Sequence, residues 1–229
     1  MSTQYYCVFF ADTERARPGG KDWDPVKVFM QTVGVVLVAG MSRRMGRFKP
    51  LLPLNGKPLI AHSVDVFFQA GITDVRVVTG YRAEEIREAL SDRMVRWLHN
   101  DRFETTEMFD SAQIAIRDVL KDPAVDAAFL LPGDMPAVPP KILPGLIRKM
   151  EETEADLVFP SQGMKRLHPP LLSRACLELL AVYDGQNGLH GGFKACAGKT
   201  EYVLTDDVGC GLDVDTPDDY DSLLKIRST

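Results

Sequence analysis

The sequence predicts an α/β protein with an open, mostly parallel β-sheet in three layers, Rossmann-like, with helices on both faces. Three observations lead there. Short apolar runs alternate with segments whose apolar residues recur at helical spacing, the signature of strand–helix–strand units. The runs Val33–Ala39 and Ala127–Leu131 are apolar at every position, as strands covered on both faces must be. The loops rich in small and polar residues, Gly40–Lys49, Thr79-Gly80-Tyr81, Asn100-Asp101 and Gly133-Asp134, all fall after predicted strands, where open sheets of this kind place their ligands.

Each element has its own warrant. Val33–Ala39 is the first strand. Pro58 to Ala70 spaces Leu59, Ile60, Val64, Phe67 and Phe68 at helical intervals and stops at Gly71, which suits a helix C-terminus. Asp74–Thr79 reads as a strand, Ala83–Leu90 as a short Glu-rich helix and Val95–Leu98 as a strand. Glu107–Leu120 carries Ile114, Ile116, Val119 and Leu120 at helical spacing, Ala127–Leu131 is a buried strand, Lys141–Met150 a helix and Leu157–Phe159 a strand. From Ser161 to Thr205 the pattern loses regularity. A last helix, Pro217–Ile226, opens on proline, which is favoured at a first helical position. Crossovers between parallel strands are expected to be right-handed.

Residues 1–31 differ in character. Tyr5–Phe10 is a short apolar run without the basic start of a secretory signal, and Ala11–Asp24 is charged and contains Pro18-Gly19-Gly20. They are read as an N-terminal extension, disordered or adding a strand, with residues 32–229 as a single domain. A chain of 229 residues is long enough for an ample core. The net charge of −5, with cations gathered near one loop, disfavours nucleic acid but not a nucleotide. No apolar segment approaches the roughly 20 residues of a membrane span. Cys7, Cys176, Cys196 and Cys210 show no C-x-x-C pair; they are expected to be buried or idle thiols in a reducing cytoplasm.

The informative stretch is residues 37–59. The first strand empties into a loop with Gly40, Gly46 and four cations, Arg43, Arg44, Arg47 and Lys49. Small residues let backbone N–H groups approach an anion, and Arg and Lys neutralise it. The loop has neither the G-x-x-x-x-G-K-S/T nor the G-x-G-x-x-G spacing. Leu37, Ala39, Gly40, Ser42, Arg44, Met45, Gly46 and Lys49, followed by Leu51, Leu52, Gly56, Lys57, Pro58 and Leu59, resemble the signature of nucleotidyltransferases related to molybdenum-cofactor cytidylyltransferase and guanylyltransferase, which implies that Met41, at a variable position of the pattern, also borders the nucleotide. Pro132-Gly133-Asp134-Met135-Pro136, His168-Pro169 and Leu212–Asp219 agree with that family, and the resemblance runs from about Val33 to Ile226.

The resemblance implies a nucleotide-diphospho-sugar transferase-like fold and attack by an acceptor phosphate oxygen on the α-phosphorus of a nucleoside triphosphate, with Mg²⁺ as cofactor and molybdopterin as the acceptor. It implies that Gly40–Gly46 wraps the triphosphate, with Arg44 on the outer phosphates and a Ser42 hydroxyl donating to a phosphate oxygen, and that Lys49 reaches the α-phosphate and the acceptor. Arg43 and Arg47 are read as surface charges. Asp134 follows a buried strand, where a carboxylate suits a hard cation or a helix N-cap; the motif favours metal. Asp213 and Asp215 compete for the second carboxylate. They are read as alternating on an extended segment so that only one points at the site, with Asp213 preferred and Asp215 or Thr216 expected to cap the last helix. Asp218 and Asp219 suit the positive end of that helix.

Leu37, Ala39, Thr79, Gly80, Asn100 and Asp101 are expected to line the base and ribose pocket, with Ser111 of Met108-Phe109-Asp110-Ser111 beside it. Alanine at 39, where related guanylyltransferases have glycine, points to CTP or UTP. His168 is either an acceptor contact or a structural residue. His62 is read as packing or surface, and His99 and His190 lack evident partners. Two departures stand out: Glu107 replaces the usual glycine, and near Gly192 the family's Gly-Asp-x-Gly-x-Arg stretch has no aspartate. Competing functions are transfer to a sugar 1-phosphate or phosphonate, a nucleotide-sugar glycosyltransferase and a non-catalytic nucleotide-binding module.

Overall fold

A computed structural model describes residues 30–42, 46–163, 165–196 and 198–227. The proposed extension therefore lies almost wholly outside the described residues, as does Arg44. In chain order the elements are β1 (Thr32–Val38), β2 (Pro53–Leu54), β3 (Lys57–Pro58), α1 (Leu59–Gln69), β4 (Val75–Thr79), α2 (Ala83–Ala89), β5 (Arg96–His99), α3 (Met108–Val119), β6 (Ala127–Pro132), α4 (Ile142–Thr153), β7 (Leu157–Gln162), β8 (Lys165–Arg166), β9 (Leu171–Ser173), α5 (Arg174–Val182), α6 (Gly188–Ala195), β10 (Thr200–Leu204) and α7 (Pro217–Arg227).

The main sheet runs β10-β7-β9-β6-β1-β4-β5, with β8 paired to β7. β1 lies in its interior, parallel to β4 with Val36 opposite Val77 and parallel to β6 with Val36 opposite Leu131. β5 and β10 are also parallel to their neighbours. Within this sheet, among the described strands, only short β8 and β9 run antiparallel, while β2 and β3 form a separate antiparallel pair. Side chains alternate across a strand, so β1 feeds both cores. Val36 and Val38 pack with Ile60, Val64 and Phe67 of α1, Ile86 of α2 and Leu143 and Leu146 of α4. Val33, Val35 and Leu37 pack on the other face with Phe109, Ile116 and Val119 of α3 and Leu177 and Leu180 of α5. Burying each large aliphatic side chain contributes about 1.5–3 kcal/mol, which accounts for the uninterrupted apolar runs. Gly34 is required at its place: a Cβ there would stand 2.6 Å from the Phe67 ring.

One strand carries a cation into this interior. Arg76 of β4 is 1% exposed, and its guanidinium is bonded to Asp118 at 2.9 Å and to Asp74 at 2.9 and 3.3 Å. A buried charge survives when so paired.

The irregular stretch 161–205 contains β8, β9, α5, α6 and β10, elements too short or too mixed to announce themselves. It also holds a correction: Cys176 and Cys196 are not idle thiols but form a disulfide between the first turn of α5 and the end of α6. Both are buried in the core that covers α3 and α5. Cys210 is a buried free thiol, pushed up to about 11 by burial, with Asp207 adding to the shift and Lys141 opposing it. Among the described residues no helix is long and apolar enough to cross a membrane.

Candidate active site

The carboxyl ends of β1 and β6 meet because Gly133 is a glycine. Its N–H donates to the Leu37 carbonyl at 2.8 Å, and a Cβ there would lie 3.0 Å from Ile60 and Val38. Asp134 is thereby set beside the mouth of β1. Its carbonyl accepts from Val214 N–H at 3.1 Å, which pulls the segment 213–215 alongside. Val214 is fully buried against Leu52, Leu54, Leu59 and Leu223.

With Val214 turned inward, its neighbours on both sides turn outward. Asp213 and Asp215 both line the cavity. The expectation that only one can face it is wrong, because residues two apart in extended chain share a side. Asp134 shares its lysine partner with Asp215. Lys49 Nζ donates to Asp134 Oδ2 at 3.0 Å and to Asp215 Oδ1 at 2.6 Å. Nor does Asp215 cap α7. Asp219 accepts from Thr216 N–H at 2.7 Å and from Asp215 N–H at 3.1 Å, while Thr216 Oγ1 accepts from Asp219 N–H at 3.3 Å. This is a reciprocal cap of the Ser/Thr–acid kind. Asp134, likewise, is no N-cap: α4 begins eight residues later, after Lys141.

Lys49 opens a 3-10 turn, Lys49–Leu51, with buried Phe48 and Pro50 on either side. Phe48 is itself wedged by Tyr81, edge-on at 5.5 Å, and by the Arg82 guanidinium 5.0 Å above its ring. Only 8% of the Lys49 side chain is exposed. Burial alone would lower its pKa, but the hydrogen bonds and charges of Asp215 and Asp134 outweigh that and hold the ammonium above the usual lysine range.

Around this cluster lies a cavity of about 750 Å³. Leu37, Gly40, Ser42, Lys49, Asp134, His168, Asp213 and Asp215 all line it, so the structure brings these expected site residues together. His168 donates its backbone N–H to Cys210 and precedes a cis peptide bond to Pro169. Its Nδ1 is buried with no hydrogen-bond partner among the described residues. Burial pushes its pKa down, against the weaker upward pull of Asp134 and Asp213, and the ring is neutral at pH 7.

Other expected residues are elsewhere. Thr79 is fully buried, with Oγ1 donating to the Leu98 carbonyl at 3.0 Å and lying 3.1 Å from His99 Nδ1. Asn100 donates to Thr106 and to buried Ser111 and accepts from Arg102 N–H, so it braces the 100–106 turn. The Asp101 side chain is 92% exposed near His99. Gly80 is needed for packing: a Cβ would meet Phe103 at 2.6 Å and the Ala39 carbonyl at 2.7 Å. Ala39 is buried, and its methyl faces this same contact. Met41 is half-buried, and Gly46 is exposed with φ +63°. Ala39, Thr79, Gly80, Asn100 and Asp101 sit at or just after strand ends, Ser111 lies in α3, and none of these, nor Met41 or Gly46, is among the walls of the cavity.

The two departures have structural explanations. Glu107 borders a separate shallow depression with Asp110, Asp184 and Gly188, and its N–H is capped by Asp110 at 2.9 Å. Its carboxylate thus lies outside the main cavity. Gly191 and Gly192 are packing glycines, since a Cβ would stand 1.9 Å from the Gln186 carbonyl and 2.6 Å from Leu180, respectively.

The far wall was not anticipated. Phe159, Lys165, Arg166, Leu189, His190 and Phe193 line it. The Arg166 guanidinium lies 4.8 Å from the Phe159 ring centroid, and its Nε donates to Tyr202 Oη at 3.2 Å. Phe159 meets Phe193 edge-on at 5.7 Å. The available signal was position alone: Lys165 and Arg166 stand just before the His-Pro motif.

Residues 34–199 match the model of the MobA-like NTP transferase domain. The chain belongs to this family. Molybdenum cofactor cytidylyltransferase of Escherichia coli is 27% identical over 190 residues, covering 81% of this chain and 92% of that protein. The bifunctional protein GlmU of Symbiobacterium thermophilum is 33% identical over 123 residues, 53% of this chain. The chain spans only about a quarter of the length of that relative (25%). Rv0371c of Mycobacterium tuberculosis superposes with a TM-score of 0.70 at 27% identity, covering 86% of this chain and 99% of that one; a manganese complex of the same protein superposes at 0.65. In this MobA-like NTP transferase domain, Gly40, Ser42 and the Asp134–Lys49–Asp215 cluster line the cavity at the carboxyl ends of β1 and β6, where open sheets of this kind place their ligands.

Proposed function

We propose that the protein is a nucleotidyltransferase that moves CMP from CTP onto the phosphate of a small-molecule acceptor, with molybdopterin as the acceptor and pyrophosphate as the leaving product. The observation that carries this reading is the ammonium of Lys49 clasped by Asp134 and Asp215 at the mouth of β1. The acceptor already carries a charged oxygen nucleophile, so the barrier is chiefly electrostatic: two anions must meet while charge builds on the departing pyrophosphate.

The donor set fits the expected cation. Asp134 and Asp215 offer carboxylate oxygens to one position, as a hard divalent ion requires. Bound there, Mg²⁺ would supply charge neutralisation on the triphosphate. The chain's own residues do the rest. Gly40 and Ser42 border the triphosphate, Arg44 counters the outer phosphates, and Lys49 holds the α-phosphate and the incoming acceptor oxygen. Neutral His168 borders the acceptor. The far wall, with Arg166 stacked on Phe159, suits a flat anionic acceptor.

CTP and molybdopterin are favoured because the cytidylyltransferase matches this chain over 92% of its own length, whereas the GlmU of Symbiobacterium thermophilum does so over 25%. The GlmU likeness supports a second reading, transfer to a sugar phosphate. A pyrophosphate-release screen separates them: the four ribonucleoside triphosphates with Mg²⁺, each against molybdopterin and a panel of sugar 1-phosphates. Release with CTP and molybdopterin alone supports the first reading. Release only with a sugar phosphate replaces it with the second, and no release with any pair overturns both.

A further inference from the structure

We infer that Lys49 guards the cation position, so that the protein takes its divalent ion as the complex with the triphosphate and discriminates against the bare ion. This rests on the reading that Asp134 and Asp215 hold the cation. Lys49 Nζ contacts one oxygen of each carboxylate, at 3.0 and 2.6 Å. A small hard ion needs carboxylate oxygens at about 2.0–2.1 Å, and on these two side chains it would stand within a few ångströms of the ammonium, roughly a carboxylate's width. Ammonium and metal therefore compete for the same pair of carboxylates.

The ammonium has little freedom to step aside. Its stem is 92% covered and rooted in a turn closed by Leu52 N–H on the Lys49 carbonyl at 3.0 Å. A bare ion must break two charge-assisted hydrogen bonds and leave a buried ammonium beside a dication. A triphosphate changes that balance, because its oxygens give the displaced ammonium new acceptors. Metal and nucleotide thus favour each other's binding through one side chain, and such coupling is reciprocal. In this arrangement Lys49 sets the order of loading as well as touching the phosphates.

The test uses Mn²⁺ alone as the probe, with free Mn²⁺ read by electron paramagnetic resonance. Wild type is compared with Lys49→Met, Lys49→Gln and Lys49→Arg, each checked for native melting. The expected result is weak Mn²⁺ binding by wild type and Lys49→Arg, and binding about tenfold or more tighter by Lys49→Met and Lys49→Gln, within the usual range of coupling. Adding CTP should tighten Mn²⁺ binding in wild type far more than in Lys49→Met. Equal Mn²⁺ affinity in wild type and both neutral variants overturns the inference. Asp134→Asn and Asp215→Asn, each combined with Lys49→Met, test the underlying reading separately: if neither weakens Mn²⁺ binding, the cation is held elsewhere and the site assignment itself fails.

Discussion

Replacing Asp215 by asparagine removes one charge from the cluster and leaves its shape. The carboxylate accepts the shorter of the two Lys49 bonds, 2.6 Å against 3.0 Å for Asp134. Its side chain is about a quarter exposed (26%), so solvent screens it only in part. A hydrogen bond to a charged group contributes roughly 1.5–3 kcal/mol, and each 1.36 kcal/mol is about tenfold in rate. Asp215→Asn should therefore lower kcat/KM for magnesium CTP by about 10- to 150-fold. Fold stability should fall as well, by up to about the same 1.5–3 kcal/mol, because the buried Lys49 ammonium loses one of its two charged partners, while the α7 cap made by Thr216 and Asp219 is untouched. Asp213→Asn is the matched control. Asp213 borders the same cavity without a hydrogen bond to Lys49, and its loss should stay near roughly 0.5 kcal/mol, about threefold or less. The assay is continuous pyrophosphate release with varied magnesium CTP at fixed acceptor, with melting curves beside it. A larger loss in Asp213→Asn than in Asp215→Asn would refute the pairing of Asp134 with Asp215.

Arg166→Ala should raise the KM for the acceptor several-fold and leave that for CTP unchanged, as initial-rate kinetics with each substrate varied will show. Gly34→Ala should destabilise the fold by about 1–3 kcal/mol through overpacking against Phe67, read as a lower denaturation midpoint. Removing the disulfide as Cys176→Ala with Cys196→Ala opens a loop with a sequence separation of 20; the loss should be near 3 kcal/mol, again read by denaturation. The His168 ring titrates below its ordinary 6.5 when folded, so the folded state binds this proton less readily than the unfolded chain. Its contribution to stability is full above pH 6.5 and drains away as pH falls below it. Denaturation midpoints between about pH 5 and 8 should show that slope, and His168→Phe should flatten it.

Much of the fold was legible because its central strands are apolar on both faces. β1 and β6 could be nothing but covered strands, and α1 declared itself through Leu59, Ile60, Val64 and Phe67. The stretch after Ser161 was opaque for a physical reason: β8 and β9 have two and three residues, too few to show a period, and β9 runs against its neighbours. Part of the site was equally plain. Lys49 and Asp134 follow strands whose ends had to converge. The pocket positions Thr79 and Asn100 were correctly placed at strand ends, but position does not reveal that neighbouring groups satisfy their side chains. Asp213 and Asp215 were legible in principle: with an apolar Val214 between them, burial of that residue turns both outward. The far wall gathers Phe159, Arg166 and Phe193 from β7, β8 and α6, and no local pattern announces such a meeting.

The protonation states limit how the site can work. Lys49 is held as an ammonium by Asp215 and Asp134 against the pull of burial, so at neutral pH it has no lone pair with which to accept a proton. Its contribution must be positive charge and donated hydrogen bonds. Cys210, raised to about 11 by burial, offers no thiolate nucleophile. His168 is neutral, yet the proposed acceptor phosphate arrives already charged and has no proton to surrender. Neither an internal nucleophile nor a general base is needed, and the geometry supplies what remains: cations and carboxylates fixed at one end of a cavity, a guanidinium on an aromatic shelf at the other. Catalysis by such a site depends on holding two anions in line, and its sensitivity should follow the placement of charge more than the titration of any one group.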